Sequence, residues 1–244
     1  MIKNIFLDAG YTLVYPKAHS WWFPLNFFEL CDKETFLKLE KSEEYKKIFA
    51  KGYKYLDDNH LLKNENDEYE VFADFYKIIL SPFPELEITG EKITDMAKSI
   101  VFNYAKFNLY GDVKFMLEKW KSEGYKLGII SDTFPSLVNC FKYLGIYDYF
   151  DVFVMSCDYG IWKPHEKMYL SALNPLNAKG EESIFSDDIT DNLTGAEKFG
   201  INPVQIERND NNFSKRFNKP EQEIYPKFGN LAEIDEYIAN VLNK

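Results

Sequence analysis

Met1-Ile-Lys-Asn-Ile-Phe-Leu-Asp-Ala-Gly-Tyr-Thr-Leu13 opens the chain with an apolar run that stops at a single carboxylate, Asp8. Ile5, Phe6 and Leu7 are continuously apolar ahead of a turn, the pattern of a strand buried in a parallel sheet. Gly10 lets the backbone turn sharply after it. An aspartate at the carboxyl end of such a strand sits where open α/β sheets bind ligands. There a carboxylate can attack phosphorus and form an aspartyl-phosphate. Taken alone, the same Asp reads more simply as the start of a turn.

Two textures follow. From about Lys17 to Leu109 the chain is aromatic-rich and helical, with no alternation of strand, turn and helix. Phe72, Phe75, Tyr76 and Ile79 fall at i, i+3, i+4, i+7, and Ile93, Met96, Ile100 and Tyr104 mark a second amphipathic face. Ser81-Pro-Phe-Pro84 separates them. The acidic stretch Asn64–Glu70 reads as a solvated loop and helix start. From Gly111 onward helices and strands alternate. Val113, Met116, Leu117 and Trp120 form a helix face that Gly124 ends. Strands are expected at 126–130, 152–155, 183–185 and 204–206, with helices at 135–144, 167–173 and up to about Phe199. This alternation predicts a parallel sheet covered by helices on both faces, which residues 2–7 must join. The fold class is therefore α/β: a Rossmann-like doubly wound parallel sheet core, residues 1–16 and 110–244, with a small all-α cap at 17–109.

Composition bounds the function. The 244 residues are enough for one large domain or a domain plus an insert. The net charge of -10 argues against nucleic acid and against a broad anion-attracting field, so a phosphate site must be built locally. Aromatics reach 17%, read as a core that uses Phe where others use Leu, though an apolar homodimer patch is compatible with the surplus. No segment has the apolar length of a membrane span. The first strand begins at once, without a signal peptide, so the mature protein is expected to start here. Cys31, Cys140 and Cys157 are odd in number and far apart, which fits a reducing cytoplasm better than a disulfide framework. His19, His60 and His165 are scattered and make no zinc pattern.

Three further groups fall at expected strand ends: Ser131 after 126–130, Lys163-Pro164 beyond 152–155, and Asp187-Asp188 after 183–185. Singly they read as a helix N-cap, a surface lysine and a turn. Four groups in order with Asp8, each at the carboxyl end of a parallel strand, are hard to explain by packing. The set resembles the four motifs of the haloacid dehalogenase-like (HAD) hydrolases. Gly160-Ile-Trp-Lys163-Pro164 is similar to the third. Phe185-Ser-Asp187-Asp188-Ile-Thr-Asp-Asn192, followed by Gly195-Ala196 and Phe199-Gly200, is similar to the paired-Asp form of the fourth. The likeness covers nearly the whole chain and matches members whose all-helical cap follows the first motif.

The resemblance implies roles. Asp8 would be the nucleophile, Ser131 would hydrogen-bond a phosphoryl oxygen, and Lys163 would neutralise the phosphate. Asp132 would lie at the phosphate, Thr12 would support the Asp8 loop, and Asn192 would orient the acidic pair or Lys163. Mg²⁺ would be held by Asp8, the Gly10 carbonyl and one of Asp187 and Asp188, in a shell of hard oxygens. The cap would exclude water and set specificity for a small phosphorylated substrate. Trp21-Trp22-Phe23, with Phe27 and Phe28, could line the entrance, but reads better as cap core. Tyr169 reads as a core aromatic.

One position departs from the family's phosphatases: Gly10 stands where they carry a second Asp, the general acid. A positioned acid contributes about 10² to 10⁴ in rate. Either the leaving group needs no acid, as in acyl phosphates, or Asp132, Tyr11 or His19 replaces it, or the chemistry differs, or catalysis is lost. The family's 2-haloacid dehalogenases and phosphonatases also lack that Asp. The dehalogenases, however, use no metal, carry a largely neutral fourth motif and bind the substrate carboxylate with an arginine after the first. Here Arg208 and Arg216 are the only arginines, both far downstream, and no lysine stands out as a phosphonatase Schiff base. A magnesium-dependent phosphatase is the favoured expectation. A dehalogenase or phosphonatase, or a non-catalytic phosphate- or partner-binding protein, is the alternative.

Overall fold

The computed structural model describes residues 1–208 and 224–243. Among them the strands are, in chain order, β1 (Asn4–Leu7), β2 (Val14–Pro16), β3 (Phe107–Leu109), β4 (Lys126–Ser131), β5 (Val152–Met155), β6 (Ser183–Asp187), β7 (Asn202–Ile206) and β8 (Lys227–Phe228). The α-helices are α1 (Phe27–Leu30), α2 (Lys33–Leu39), α3 (Glu43–Asp58), α4 (Glu65–Leu80), α5 (Gly90–Phe102), α6 (Val113–Ser122), α7 (Leu137–Leu144), α8 (Glu166–Leu176), α9 (Thr190–Glu197) and α10 (Leu231–Tyr237). The chain divides into two compact units. Met1–Tyr15, Leu109–Thr133 and the described residues from Phe141 onward form one; Pro16–Asn108 and Phe134–Cys140 form the other.

The first unit is a six-stranded sheet of order β5-β4-β1-β6-β7-β8. Each neighbouring pair is parallel. The chain builds outward from β1 through β4 to β5, then returns to the other side of β1 and continues through β6 to β8. The direction of winding reverses between β1 and β6, which is where doubly wound sheets bind ligands. Leu7 lies opposite Ile129 of β4 and Ser186 of β6. That register brings Asp8, Ser131 and Asp187 out together at the carboxyl edge.

The strands are what their residues dictate. β1 and β6 are buried along their whole length, and Phe6, Ile130, Val154 and Phe185 pack on Met168, Tyr169 and Leu193 of α8 and α9. Each such side chain contributes about 1.5–3 kcal/mol through removal from water. Gly124 takes a φ of 87° after α6 and stops that helix.

The second unit is helical. Phe72, Phe75, Tyr76 and Ile79 face its core together with Ile93, Met96 and Ile100. Phe23 and Phe27 are core residues too, with Phe36 edge-on to both at 5.1 and 4.7 Å, while Trp22 accepts a hydrogen bond from Tyr76 through its carbonyl at 2.9 Å. Asn64 caps α4. Within the acidic stretch that follows, Glu68 is buried rather than solvated. Its carboxylate accepts from the Ser136 amide and hydroxyl, each at 2.7 Å, and Lys106 donates to the same hydroxyl at 2.7 Å. Ser136 belongs to the segment that groups with this unit, where the whole of 110–244 was expected in the core.

The other departures concern element ends. The helix expected from Pro135 starts at Leu137, and the 183–185 strand runs on to Asp187. Tyr104 leaves the α5 face for a 3₁₀ turn because the Asn103 side chain accepts from the Ala105 amide. β2, β3 and β8 were not anticipated; two or three residues are too few to display a period-two pattern. Cys31, Cys140 and Cys157 are buried and form no disulfide, and no helix among the described residues is long and apolar enough to cross a membrane.

Gly195 ties packing to the site. A Cβ there would fall 2.5 Å from the Tyr169 hydroxyl and 2.6 Å from the Pro164 Cβ. Gly195→Ala is expected to cost about 1–3 kcal/mol through overpacking and to disturb the neighbouring Lys163. Urea unfolding of the two proteins would read the loss; an unchanged midpoint would show that Pro164 gives way freely.

Candidate active site

Lys163 stands at the centre of the carboxyl edge of the sheet. Its ammonium donates to Asp8 Oδ1 at 2.7 Å, to Asp187 Oδ2 at 2.6 Å and to the Ile130 carbonyl at 3.0 Å. The side chain is 1% exposed and both carboxylates are buried. The groups come from the ends of β1, β4 and β6 and from the loop between β5 and α8, with Asp8 and Lys163 155 residues apart in the chain. The Ser131 hydroxyl hydrogen-bonds to the Asp8 carboxylate. The Asp8 amide is held by the Ser186 carbonyl at 2.9 Å.

The fourth-motif residues form a second layer. Asp187 accepts from the Ile189 amide at 2.8 Å. The Asn192 side chain, on the first turn of α9, donates to its two oxygens at 3.2 and 3.1 Å. Tyr169 donates to the Asn192 carbonyl at 2.7 Å, which steadies that turn. Asp188 is buried, and its carbonyl accepts from Gln205 of β7 at 3.3 Å. Asp132 follows Ser131 directly, is half-buried, and accepts from the Lys163 amide at 2.9 Å.

Burial sets the electrostatics. It pushes the Asp8 carboxyl up to about 6, with the Lys163 charge pulling down and the Asp187 charge pushing up. It pushes Asp132 up to about 7, again against the pull of Lys163. Burial also works against the Lys163 charge, but Asp187, Asp8 and Asp132 outweigh it and hold the ammonium well above its usual range. Three carboxyl groups thus share one cation. Such an excess of hard oxygen donors fits, in kind, a small divalent cation. Among the described residues no three Asp, Glu, His or Cys side chains already converge as a cage for one.

One expectation needs correction. Gly10 was expected to supply the sharp turn, but the left-handed residue is Tyr11, with φ 51°; Tyr11 is fixed there by its amide, which donates to the Val14 carbonyl at 2.8 Å. Thr12 was expected to support the Asp8 loop, and its buried hydroxyl has no hydrogen-bond partner among the described residues. The loop is held instead through the Thr12 carbonyl, which accepts from Arg208 at 2.8 and 3.2 Å. Arg208 also pairs with Asp112 at 2.9 and 3.0 Å and lies over the Tyr110 ring. A separation of 196 residues hid this contact from sequence reading. Arg216 lies outside the described residues. His19, in the helical unit, bonds Glu40 at 3.0 Å.

The sequence profile of the haloacid dehalogenase-like hydrolases matches residues 5–200. The chain belongs to this family. Among its relatives, a glyceraldehyde 3-phosphate phosphatase of Methanocaldococcus jannaschii is 28% identical over 156 residues, 61% of this chain and 64% of that protein. The (S)-2-haloacid dehalogenase 4A of Burkholderia cepacia is 29% identical over 145 residues, 58% of this chain and 60% of that one. The chain therefore spans under two thirds of either relative. The solved L-2-haloacid dehalogenase of Xanthobacter autotrophicus shares the fold at 17% identity and a TM-score of 0.63, covering 99% of this chain and 100% of that one. The six-stranded parallel sheet is thus the HAD, Rossmann-like α/β fold.

Two outcomes follow for this HAD chain. Lys163→Met leaves two buried carboxylates unpaired and is expected to cost about 3–5 kcal/mol, read by chemical unfolding. Asp132 keeps its proton in the folded state up to about 7 but releases it near 3.8 when unfolded. The stability from that difference is present at acid pH and lost as pH rises through about 7. In the presence of a chelator, Asp132→Asn should therefore melt progressively higher than wild type between about pH 4 and pH 8. A constant difference across that range would show that the carboxyl titrates normally.

Proposed function

We propose that the chain is a magnesium-dependent phosphatase acting on a small phosphorylated metabolite through an aspartyl-phosphate at Asp8, with the helical unit as its cap. The observation that carries this reading is the buried acidic pair Asp187-Asp188 beside Asp8, with Lys163 the cation between Asp8 and Asp187. Displacement of halide by a carboxylate has no need of such a surplus of negative charge, whereas a metal-bound phosphate does.

Asp8, the Gly10 carbonyl and Asp187 or Asp188 would hold Mg²⁺. When bound, Mg²⁺ would neutralise phosphoryl charge and keep Asp8 ionised. Lys163 stabilises the Asp8 carboxylate for attack and, with the Ser131 hydroxyl, faces the charge that develops on the phosphoryl oxygens. Asp8 attacks phosphorus as the bond to the leaving oxygen breaks. Water then cleaves the aspartyl-phosphate and restores Asp8. Asn192 and the Ile189 amide keep Asp187 in place, and the Arg208 clamp on Thr12 does the same for the Asp8 loop.

The dehalogenase reading keeps one point in its favour, the absence of an acid at Gly10. The two are separated by assaying phosphate release from small phosphate esters and acetyl phosphate beside chloride release from 2-chloropropionate, with and without Mg²⁺. Mg²⁺-dependent phosphate release that Asp8→Asn abolishes is expected. Metal-independent chloride release would instead make the protein a dehalogenase.

A further inference from the structure

Gly10 leaves phosphoester cleavage without its usual proton donor, and three side chains were candidates from sequence. His19 is engaged by Glu40, at 3.0 and 3.1 Å from its two carboxylate oxygens, and packs edge-on to Phe28 and Phe36. Tyr11 carries a phenol, a far weaker acid than a carboxyl. Asp132 differs in placement. It follows Ser131 at the carboxyl end of β4, the strand paired with β1, and so stands one residue beyond a group that bonds Asp8.

Its geometry is that of a held but accessible acid. One carboxyl oxygen, Oδ1, accepts from the Lys163 amide at 2.9 Å, which fixes the side chain in the loop that carries the site lysine. Asp8 and Asp187, whose carboxylates bind the Lys163 ammonium, are close enough for their charges to act on it. Unlike those two, Asp132 is only half-buried. The Asp8, Asp187 and Lys163 side chains face one another, whereas Asp132 meets Lys163 through the backbone, its Oδ1 accepting from the amide. We propose that Asp132 is the general acid that replaces the one missing at Gly10.

This rests on the phosphatase reading and completes it. In the first step Asp8 Oδ bonds to phosphorus, the bond from phosphorus to the leaving oxygen breaks, and the Asp132 proton passes to that oxygen. The products are the free alcohol, the aspartyl-phosphate and the Asp132 carboxylate. In the second step water attacks phosphorus, the bond from phosphorus to Asp8 breaks and the phosphate leaves carrying the protons of that water, while the Asp132 carboxylate takes its proton back from solvent. The carboxyl, pushed up to about 7 by burial, keeps a proton into the neutral range in which the first step runs. A phosphate dianion arriving nearby favours the protonated form further.

Leaving-group dependence tests the assignment. Glycerol phosphate needs its alkoxide protonated; 4-nitrophenyl phosphate needs this less, and acetyl phosphate not at all. Asp132→Asn keeps the oxygen that accepts the Lys163 amide and removes the acid. It is expected to lower kcat for glycerol phosphate by about 10²-fold or more, to lower it less for 4-nitrophenyl phosphate, and to leave acetyl phosphate within about threefold. The acetyl phosphate rate itself reports that the site is intact, and Asp132→Ser serves as a second variant. Equal losses on all three substrates, or none on glycerol phosphate, would overturn the assignment. Wild type active on acetyl phosphate alone would also overturn it while sustaining the phosphatase reading. Wild type releasing phosphate from none of the three would remove that reading, and the acid with it.

Discussion

A single ammonium holds the site together. Lys163 lies within 2.7 Å of Asp8 and 2.6 Å of Asp187 with almost no exposure. Two carboxylates so placed repel each other strongly in a medium that screens charge poorly. Burying any of the three alone would be costly; burying them as a bonded group is tolerable because every charge has a partner. The Ile130 carbonyl fills a further donor position of the lysine. The ends of β1, β4 and β6 are thereby tied to the loop that follows β5.

The sheet makes that tie reachable. Parallel strands in adjacent positions end at one edge, and β1 stands between β4 and β6. Carboxylate, hydroxyl and carboxylate then project at neighbouring positions without any loop having to search for them. The helices on the sheet contribute small corrections: α9 delivers Asn192 to Asp187, and Gly195 lets Tyr169 and Pro164 approach. The Arg208 contact is of the same kind. It crosses from the end of β7 to the loop after Asp8 and fixes that loop through a backbone carbonyl, so no particular side chain is needed at the receiving end.

The charge balance around Lys163 explains why the carboxyl groups are not alike. Asp187 accepts from the Ile189 amide, from the Asn192 side chain and from Lys163. Asp8 receives the lysine and Ser131 but sits against the Asp187 charge. Asp132 receives one backbone amide. Burial pushes the Asp132 carboxyl up to about 7, above Asp8 at about 6. A site that must attack with one carboxylate and deliver a proton from another needs environments that differ in this way.

Much of this was legible in the chain. The apolar run ending at Asp8, the alternation after Gly111 and the order Asp8, Ser131, Lys163, Asp187 follow from local chemistry, because strand periodicity and turn residues act over a few positions. The helical faces at Phe72–Ile79 and Val113–Trp120 were legible for the same reason. The convergence of Lys163 on two acids, the burial of Glu68 against Ser136, the left-handed turn at Tyr11 and the return of Arg208 to Thr12 were not. Each depends on residues brought together from distant positions, or on backbone bonds that close only once the neighbouring strands are in place. The sequence by itself determined which side chains stand at the strand ends. Tertiary structure alone decided which share a proton, a charge or a hydrogen bond, because those energies depend on distances and burial that exist only after the sheet has formed.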